Sequence, residues 1–277
     1  MKKVLITGAS GMLGATLVAL WSKKYHVFAT ASSPLSENKI LNFLVFDLRK
    51  KEYSPLVNWV QPNVIVHCAA LTNHEYCETH PAEAMKVNGE SVKKLITAYP
   101  HAKIIYISTD AVFPPTTHLA NEKEDTNPQT SYGKSKQLGE KYMLESGKQN
   151  CVVRTTMVGL NINKKKKITL YDNVQFTPIS IWHFAIELEW IIQNNTPQVM
   201  HVSGSEVCTK YQFGYALCKK LYLDTSLIIK GSLSQEGKVK RSHDQTLDCS
   251  LYQSLSHHSL PNLNKTITIL TTKYKTI

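Results

Sequence analysis

The segment Gly8-Ala-Ser-Gly11-Met-Leu-Gly14 follows a β-rich run over 3–7 and opens a helical pattern, an order few folds can use. Glycines spaced G-x-x-G-x-x-G let a chain turn sharply between strand and helix and leave its backbone open to a close neighbour. The expected product is a set of N–H groups at a helix N-terminus, which is a phosphate-binding arrangement. In this strand–turn–helix context the pattern points to the pyrophosphate of a dinucleotide.

The rest of the first 150 residues fits that start. Short apolar runs over 26–30, 43–46, 64–68, 103–108 and 151–154 read as further strands. Their apolar residues are nearly continuous, as expected where helices cover both faces of a sheet. Helical patterns over 12–24, 52–60, 81–98 and 132–147 separate them, and Pro81 stands at a favourable first-turn position. The alternation predicts an α/β fold with a Rossmann-type, doubly wound parallel sheet. After Arg154 the pattern loosens into helices near 180–194 and 209–222 and strands near 199–202 and 226–230. The expectation is a dinucleotide-binding domain over 1–155 and a small substrate-binding lobe over 156–277, interleaved with the end of the main sheet. The threonine- and lysine-rich tail from Leu260 has no assigned place.

Composition narrows the function classes. With 42% hydrophobic and 19% charged residues, the chain reads as globular. Its apolar stretches fall far short of the roughly 18 residues that span a bilayer. No leader pattern precedes the first strand, so a cytoplasmic protein without membrane contact is expected. Six cysteines without a C-x-x-C pair suggest reduced, buried thiols. The formal charge of +11 suits anionic ligands, and without a nucleic-acid-binding motif it does not imply nucleic acid. The lysine run over 164–167 reads as a solvated loop. His67, His74 and His80 are not spaced for a metal cage, and Trp182, Phe184 and Trp190 recur at helical spacing as core residues.

Two further features concern chemistry. Past the second strand stand Thr30, Ser32 and Ser33 with no carboxylate before Glu37, which favours NADP over NAD as cofactor, NAD remaining open. Asp47, ending the third strand, is a candidate acceptor for the adenine amino group or a helix cap. Tyr132 and Lys136, four residues apart, share one helix face. A tyrosine titrating at about 10 is a poor acid or base at neutral pH, and a nearby ammonium would lower that value. Tyr132 would then give a proton to a carbonyl oxygen as hydride arrives, or take it back in reverse, and Lys136 could also donate to the nicotinamide-ribose hydroxyls, so both residues are expected to bind cofactor. Ser108 or Thr109, at the carboxyl edge of the fifth strand, can hold the substrate oxygen. Alone, a Tyr–Lys pair is usually a surface contact. Behind a glycine turn, and with Ser108-Thr-Asp110 upstream, it reads as a catalytic pair.

These residues resemble the extended short-chain dehydrogenase/reductases, and most of all the dTDP-4-dehydrorhamnose reductase group. The matching segments are Ile6-Thr-Gly-Ala-Ser-Gly-Met-Leu-Gly14, Val66-His-Cys-Ala-Ala-Leu-Thr-Asn73, Met85-Lys-Val-Asn88, Tyr106-Ile-Ser-Thr-Asp-Ala-Val-Phe113, Ser131-Tyr-Gly-Lys-Ser-Lys136 and Val153-Arg-Thr155. The resemblance implies reduction of a nucleotide-linked 4-keto sugar, with Thr109, Tyr132 and Lys136 as catalytic residues. It implies that Gly8, Ser10, Gly11, Met12, Leu13 and Gly14 surround the pyrophosphate, that Asp47 and Leu48 flank the adenine, and that Ala69, Ala70 and Leu71 line the dinucleotide. Thr109, Phe113 and Met157 would meet substrate. Ala111 stands where related dehydratases carry a glutamate, which favours reduction. The group also tends to place aromatic residues at Ala111 and Met157 and a further helix between Gly159 and Tyr171. It suggests a homodimer, with Glu75 and Glu78 either ion-binding at its contact or plain helix-end charges. The non-catalytic regulatory subunit of methionine adenosyltransferase is similar to the same group, so a cofactor-binding subunit without turnover is the alternative. An epimerase with tightly held NAD is disfavoured by the missing carboxylate after the second strand.

Overall fold

Alternating apolar residues feed two cores from opposite faces of one sheet. The strands are β1 (Lys3–Thr7), β2 (His26–Ala31), β3 (Phe43–Val45), β4 (Val64–His67), β5 (Lys103–Thr109) and β6 (Cys151–Thr155). With Val199–His201 they form a seven-stranded sheet ordered Val199–His201, β6, β5, β4, β1, β2, β3, every pair parallel. In β1, Val4 and Ile6 enter one core and Leu5 the other, all fully buried. Each such side chain contributes about 1.5–3 kcal/mol of burial free energy. The computed structural model describes residues 1–35, 41–147, 149–160, 167–234 and 242–274. Glu37 and residues 164–166 of the lysine run lie outside the described residues.

Helices α1 (Met12–Trp21) and α7 (Ile181–Gln193) cover one face; α2 (Ser54–Trp59), α5 (Ser91–Ala98) and α6 (Ser131–Glu145) supply the core on the other. The doubly wound sheet is therefore observed as expected. The predicted 81–98 helix is not uniform. It runs as α4 (Pro81–Ala84), a π-helical turn Met85–Glu90, and α5. Such turns recur at functional sites because they turn a side chain off the regular helical face. Here the residue concerned is Asn88.

Beyond β6 the chain crosses between sheet and lobe more than once. Val199–His201 and α7 return to the main sheet, while Ile168–Tyr171 pairs in parallel with Ile228–Gly231. Gln175–Phe176 is flanked by Cys208–Thr209 and Asp244–Gln245. Helix α8 (Lys210–Lys220) begins beside them with a Thr209/Gln212 capping box. Helix α9 (Ser250–Ser256) precedes the unassigned tail, which holds α10 (Leu263–Tyr274), seated by buried Ile267 and Leu270. Of the expected aromatic core on α7, Phe184 is fully buried and Trp182 and Trp190 are half-buried.

Candidate active site

All seven parallel strands end at one edge, and the open α/β rule puts ligands there. The first feature at that edge is the glycine turn. Gly8 has φ +74°, in the left-handed region, and a Cβ on Gly14 would lie 2.2 Å from the Gly8 carbonyl oxygen. The turn therefore excludes side chains at both positions, and α1 starts immediately after Gly11. The result is bare backbone at the N-terminus of α1, the kind of position where phosphates bind.

From this turn a cleft of about 260 Å³ passes Thr30, Ala31 and Ser32, then Asp47 and Leu48, with Ala69, Ala70 and Leu71 on its opposite wall. Gly8, Ser10 and Gly11 line it directly. Six residues of the expected set do not: Tyr132 and Lys136, which sit near the exit of β5, and four from the turn and the end of β2. Leu13 and Gly14 are buried on the inner side of α1, Met12 is exposed, and Ser33 is exposed outside the lining. The sequence pattern treats the turn as a unit, but after Gly11 the chain is already helical and faces its own core. Asp47 also differs from expectation. Both of its oxygens bind Arg49, through Nε at 3.0 Å and Nη2 at 2.7 Å, so it first orders its own loop. Arg49, which the sequence does not single out, lines the same cleft and also donates to Glu83 at 2.7 Å.

The three candidate catalytic residues meet at the exit of β5. Thr109 Oγ1 donates to Asp110 Oδ1 at 3.1 Å and accepts from the Ala111 N–H at 3.2 Å. The Thr109 hydroxyl is near enough to the Tyr132 phenol to pull its titration down, against the larger effect of burial. The Tyr132 ring packs on His74, centroids 4.5 Å apart. Lys136, 2% exposed, donates to the Ile107 carbonyl at 2.7 Å and lies 3.9 Å from the Tyr106 ring centroid. Burial, only partly offset by Glu140 and Cys68, pulls its ammonium down to about 7. Burial, and then the Asp110 carboxyl, pushes the Tyr132 phenol above its ordinary value. Desolvation outweighs the lowering by the Thr109 hydroxyl, so the phenol, contrary to the expected acidification, stays protonated and holds its proton more tightly than a free tyrosine does.

Several supporting residues carry no catalytic motif of their own. Asn88, in the π-helical turn, binds the Leu71 backbone with both amide atoms at 2.7 and 3.0 Å and donates to Ser135 Oγ at 2.9 Å. It ties the cleft wall to α6. Glu78 accepts from the Ser131 N–H at 2.7 Å and Ser131 Oγ at 2.8 Å, placing a carboxylate at the N-terminus of α6 beside Tyr132. Buried Glu140 and Arg154 pair at 2.7 Å, and Ser108 donates to Glu140 at 2.5 Å. His67 bonds Thr7 Oγ1 through Nδ1 at 2.7 Å, and burial holds its ring neutral, near 3. His80 stacks on Tyr76, and among the described residues no group of His, Cys, Asp or Glu is arranged to hold a metal. Cys68 is half-buried on the cleft wall, while the other five cysteines are buried and unpaired.

A second pocket of about 500 Å³ opens between the sheet edge and the lobe, lined by His74, Glu75, Ala111, Phe113, Thr130, Tyr171, Lys210 and Gln245 among others. Of the residues expected to meet substrate, Phe113 lines this pocket and Thr109 does not. Nor does Met157: it is 38% exposed, paired with Ile179 away from the lining. Lys210 is a cation the sequence gives no reason to choose. Its Nζ lies 3.5 Å from the Phe176 ring centroid, and burial, offset by Asp110, lowers it to about 8. Asp110 keeps part of its surface exposed, but Oδ2 is buried without a hydrogen-bond partner, and burial pushes the carboxyl up to about 6. Among the described residues, no helix is long and apolar enough to cross a membrane.

The family model for the RmlD substrate binding domain matches residues 1–275. The chain is 29% identical to the spore coat polysaccharide biosynthesis protein SpsK of Bacillus subtilis over 94% of this chain and 91% of that one. It is 27% identical to methionine adenosyltransferase 2 subunit beta of Bos taurus, over 92% of this chain and 82% of the relative. Among solved structures, a dTDP-4-dehydrorhamnose reductase from Bacillus anthracis, in complex with NADP, superposes with a TM-score of 0.87 at 20% identity, covering 98% of this chain and 99% of that one.

Proposed function

Since the chain belongs to the family of the RmlD substrate binding domain, we propose that it is an NADP(H)-dependent reductase of a nucleotide-linked 4-keto sugar. The observation that carries the proposal is the packing of Tyr132 between the two cavities, against Leu71 of the dinucleotide cleft and against His74 and Ala111 of the second pocket. Lys136, one helical turn on, is bonded to the Ile107 carbonyl two residues before Thr109. The cradle at Gly8 and Gly11 would hold the pyrophosphate, Thr30 and Ser32 the adenosine ribose, and Ala69 to Leu71 the opposite side of the dinucleotide. NADPH, when bound, supplies hydride to the carbonyl carbon.

The protein's own work is proton supply and positioning. Thr109 would orient the carbonyl oxygen, and Tyr132 would give that oxygen its proton. Lys136, one turn on along the same face of α6, would stabilise the phenolate left behind once it leaves the Ile107 carbonyl for the ribose hydroxyls. Lys210 would attract the nucleotide phosphates into the second pocket. The test is oxidation of NADPH against dTDP-4-dehydrorhamnose. Turnover that Tyr132→Phe abolishes supports the reading. If wild type and variant consume NADPH alike, Tyr132 is not the acid.

One observation favours a second reading, a dinucleotide-binding subunit without turnover. The phenol is raised rather than lowered and Lys136 is engaged elsewhere, as a site released from catalysis could be. The similarity to methionine adenosyltransferase 2 subunit beta supplies a candidate partner. Tight NADPH binding, no turnover, and co-elution with a methionine adenosyltransferase catalytic chain would select it.

A further inference from the structure

Among the described lining residues of the dinucleotide cleft, Arg49 is the one cation. Two carboxylates hold its guanidinium. Nε and Nη2 grip Asp47, and Nη1 donates to Glu83 Oε1 at 2.7 Å. The two partners differ in kind. Asp47 is two residues away in the same loop and also accepts from the Arg49 N–H at 2.9 Å, so that contact is local. Glu83 belongs to α4, and its second oxygen accepts from the Tyr76 hydroxyl at 2.7 Å, so that contact ties α4 to the loop.

The ribose 2′ position of a bound adenosine meets the end of β2. There the cleft offers the Thr30 and Ser32 side chains. β3 lies beside β2 with Ala31 opposite Val45, which brings the loop carrying Arg49 alongside. One guanidinium with two carboxylates is a net negative group, poorly disposed to a second anion. A phosphate can therefore use Arg49 only if one carboxylate gives way. The Arg49–Glu83 pair is partly exposed on both sides, at 50% and 26%, and pairs of that kind are weak. A phosphate dianion on an arginine fork is stronger.

We propose that Arg49 reads the adenosine 2′-phosphate by exchanging Glu83 for it, with Asp47 keeping the guanidinium in place. The Arg49–Glu83 pair then sets the preference between NADP and NAD. Glu83, once released, keeps its hydrogen bond from Tyr76. With a plain 2′-hydroxyl nothing displaces Glu83 and Arg49 contributes little. The inference rests on the cofactor reading proposed above, and it makes opposite predictions for the two members of the pair.

Equilibrium titration of the full chain with NADPH and with NADH, followed by nicotinamide fluorescence, tests this without any turnover. Arg49→Gln is expected to weaken NADPH by about tenfold to a hundredfold, the range for a lost charged hydrogen bond, and NADH by less than about threefold. Glu83→Gln is expected to tighten NADPH and leave NADH alone. Arg49→Lys, which keeps the charge and loses the fork, should fall between wild type and Arg49→Gln, and it carries the test if Arg49→Gln does not fold. If wild type binds both dinucleotides and neither substitution changes their ratio, the exchange is wrong while the cofactor reading stands. If wild type binds neither, the cofactor reading falls and this inference with it.

Discussion

The dinucleotide cleft and the second pocket share one sheet edge but are built from different materials. The cleft is mostly backbone: a turn that admits no Cβ at Gly8 or Gly14, and the small-residue wall at Ala69 and Ala70. The pocket is built of side chains drawn from segments far apart in the chain, His74, Phe113, Tyr171, Lys210 and Gln245. Burial lowers Lys210 in its lining and raises Asp110 beside it, and each charge partly offsets the other. A backbone site is rigid and general, and it suits the part of a ligand that many proteins share. A side-chain site with half-compensated charges is adaptable, and it suits the part that distinguishes one substrate from another. Between the two stands Tyr132, packed on Leu71 of the cleft and on His74 and Ala111 of the pocket.

The sharpest way to separate the halves is to damage each alone. Tyr132→Phe removes the proton donor and leaves the cradle intact. Turnover is expected to fall about 10²- to 10⁴-fold, the usual contribution of a positioned acid, while NADPH affinity measured by fluorescence stays within about threefold. Equal losses in both quantities would mean that Tyr132 acts through cofactor binding. Gly14→Ala does the reverse. The added methyl meets backbone at 2.2 Å, and backbone cannot rotate away as a side chain can. Overpacking of this kind costs about 1–3 kcal/mol, read as a lowered Tm. Dinucleotide affinity should fall with it. An unchanged Tm and affinity would show that the turn has slack the structure does not reveal.

The same division explains how much could be read from the chain in advance. The sheet, its order of strands and helices, the glycine turn and the trio at 109, 132 and 136 are local patterns, with signal and structure in one stretch. Arg49 and Glu83 are invisible to such reading because 34 residues separate them and each looks like an ordinary surface charge. Lys210 opens a helix, where a lysine is unremarkable until the fold buries it beside Phe176. Asn88 needed the π-helical turn, which no periodicity announces. The α10 tail was hidden by its β-branched run Thr266-Ile-Thr-Ile269, whose alternation favours a strand; contacts such as the Thr266 bond to the Pro178 carbonyl override it.

The smallest expected effect tests whether the pocket's strain is real. Asp110 ordinarily titrates near 3.8, and in the fold burial lifts it to about 6. Between those values the folded protein holds more protons on this group than the unfolded chain does. The sign follows: stability falls as pH rises from about 4 to about 6, because the folded state must give up a proton it prefers to keep. The full shift is worth roughly 2–3 kcal/mol. Asp110→Asn removes the titration and still accepts the Thr109 hydrogen bond. Plotted against pH, the Tm of Asp110→Asn minus that of wild type should therefore climb across this window and level off above it. The climb should be larger in a Lys210→Met background and extend toward neutral pH, because removing that cation pushes the carboxyl higher still. A difference that stays flat from pH 4 to 7 would mean that water reaches the Asp110 carboxyl, and that the pocket is no more strained than the cleft.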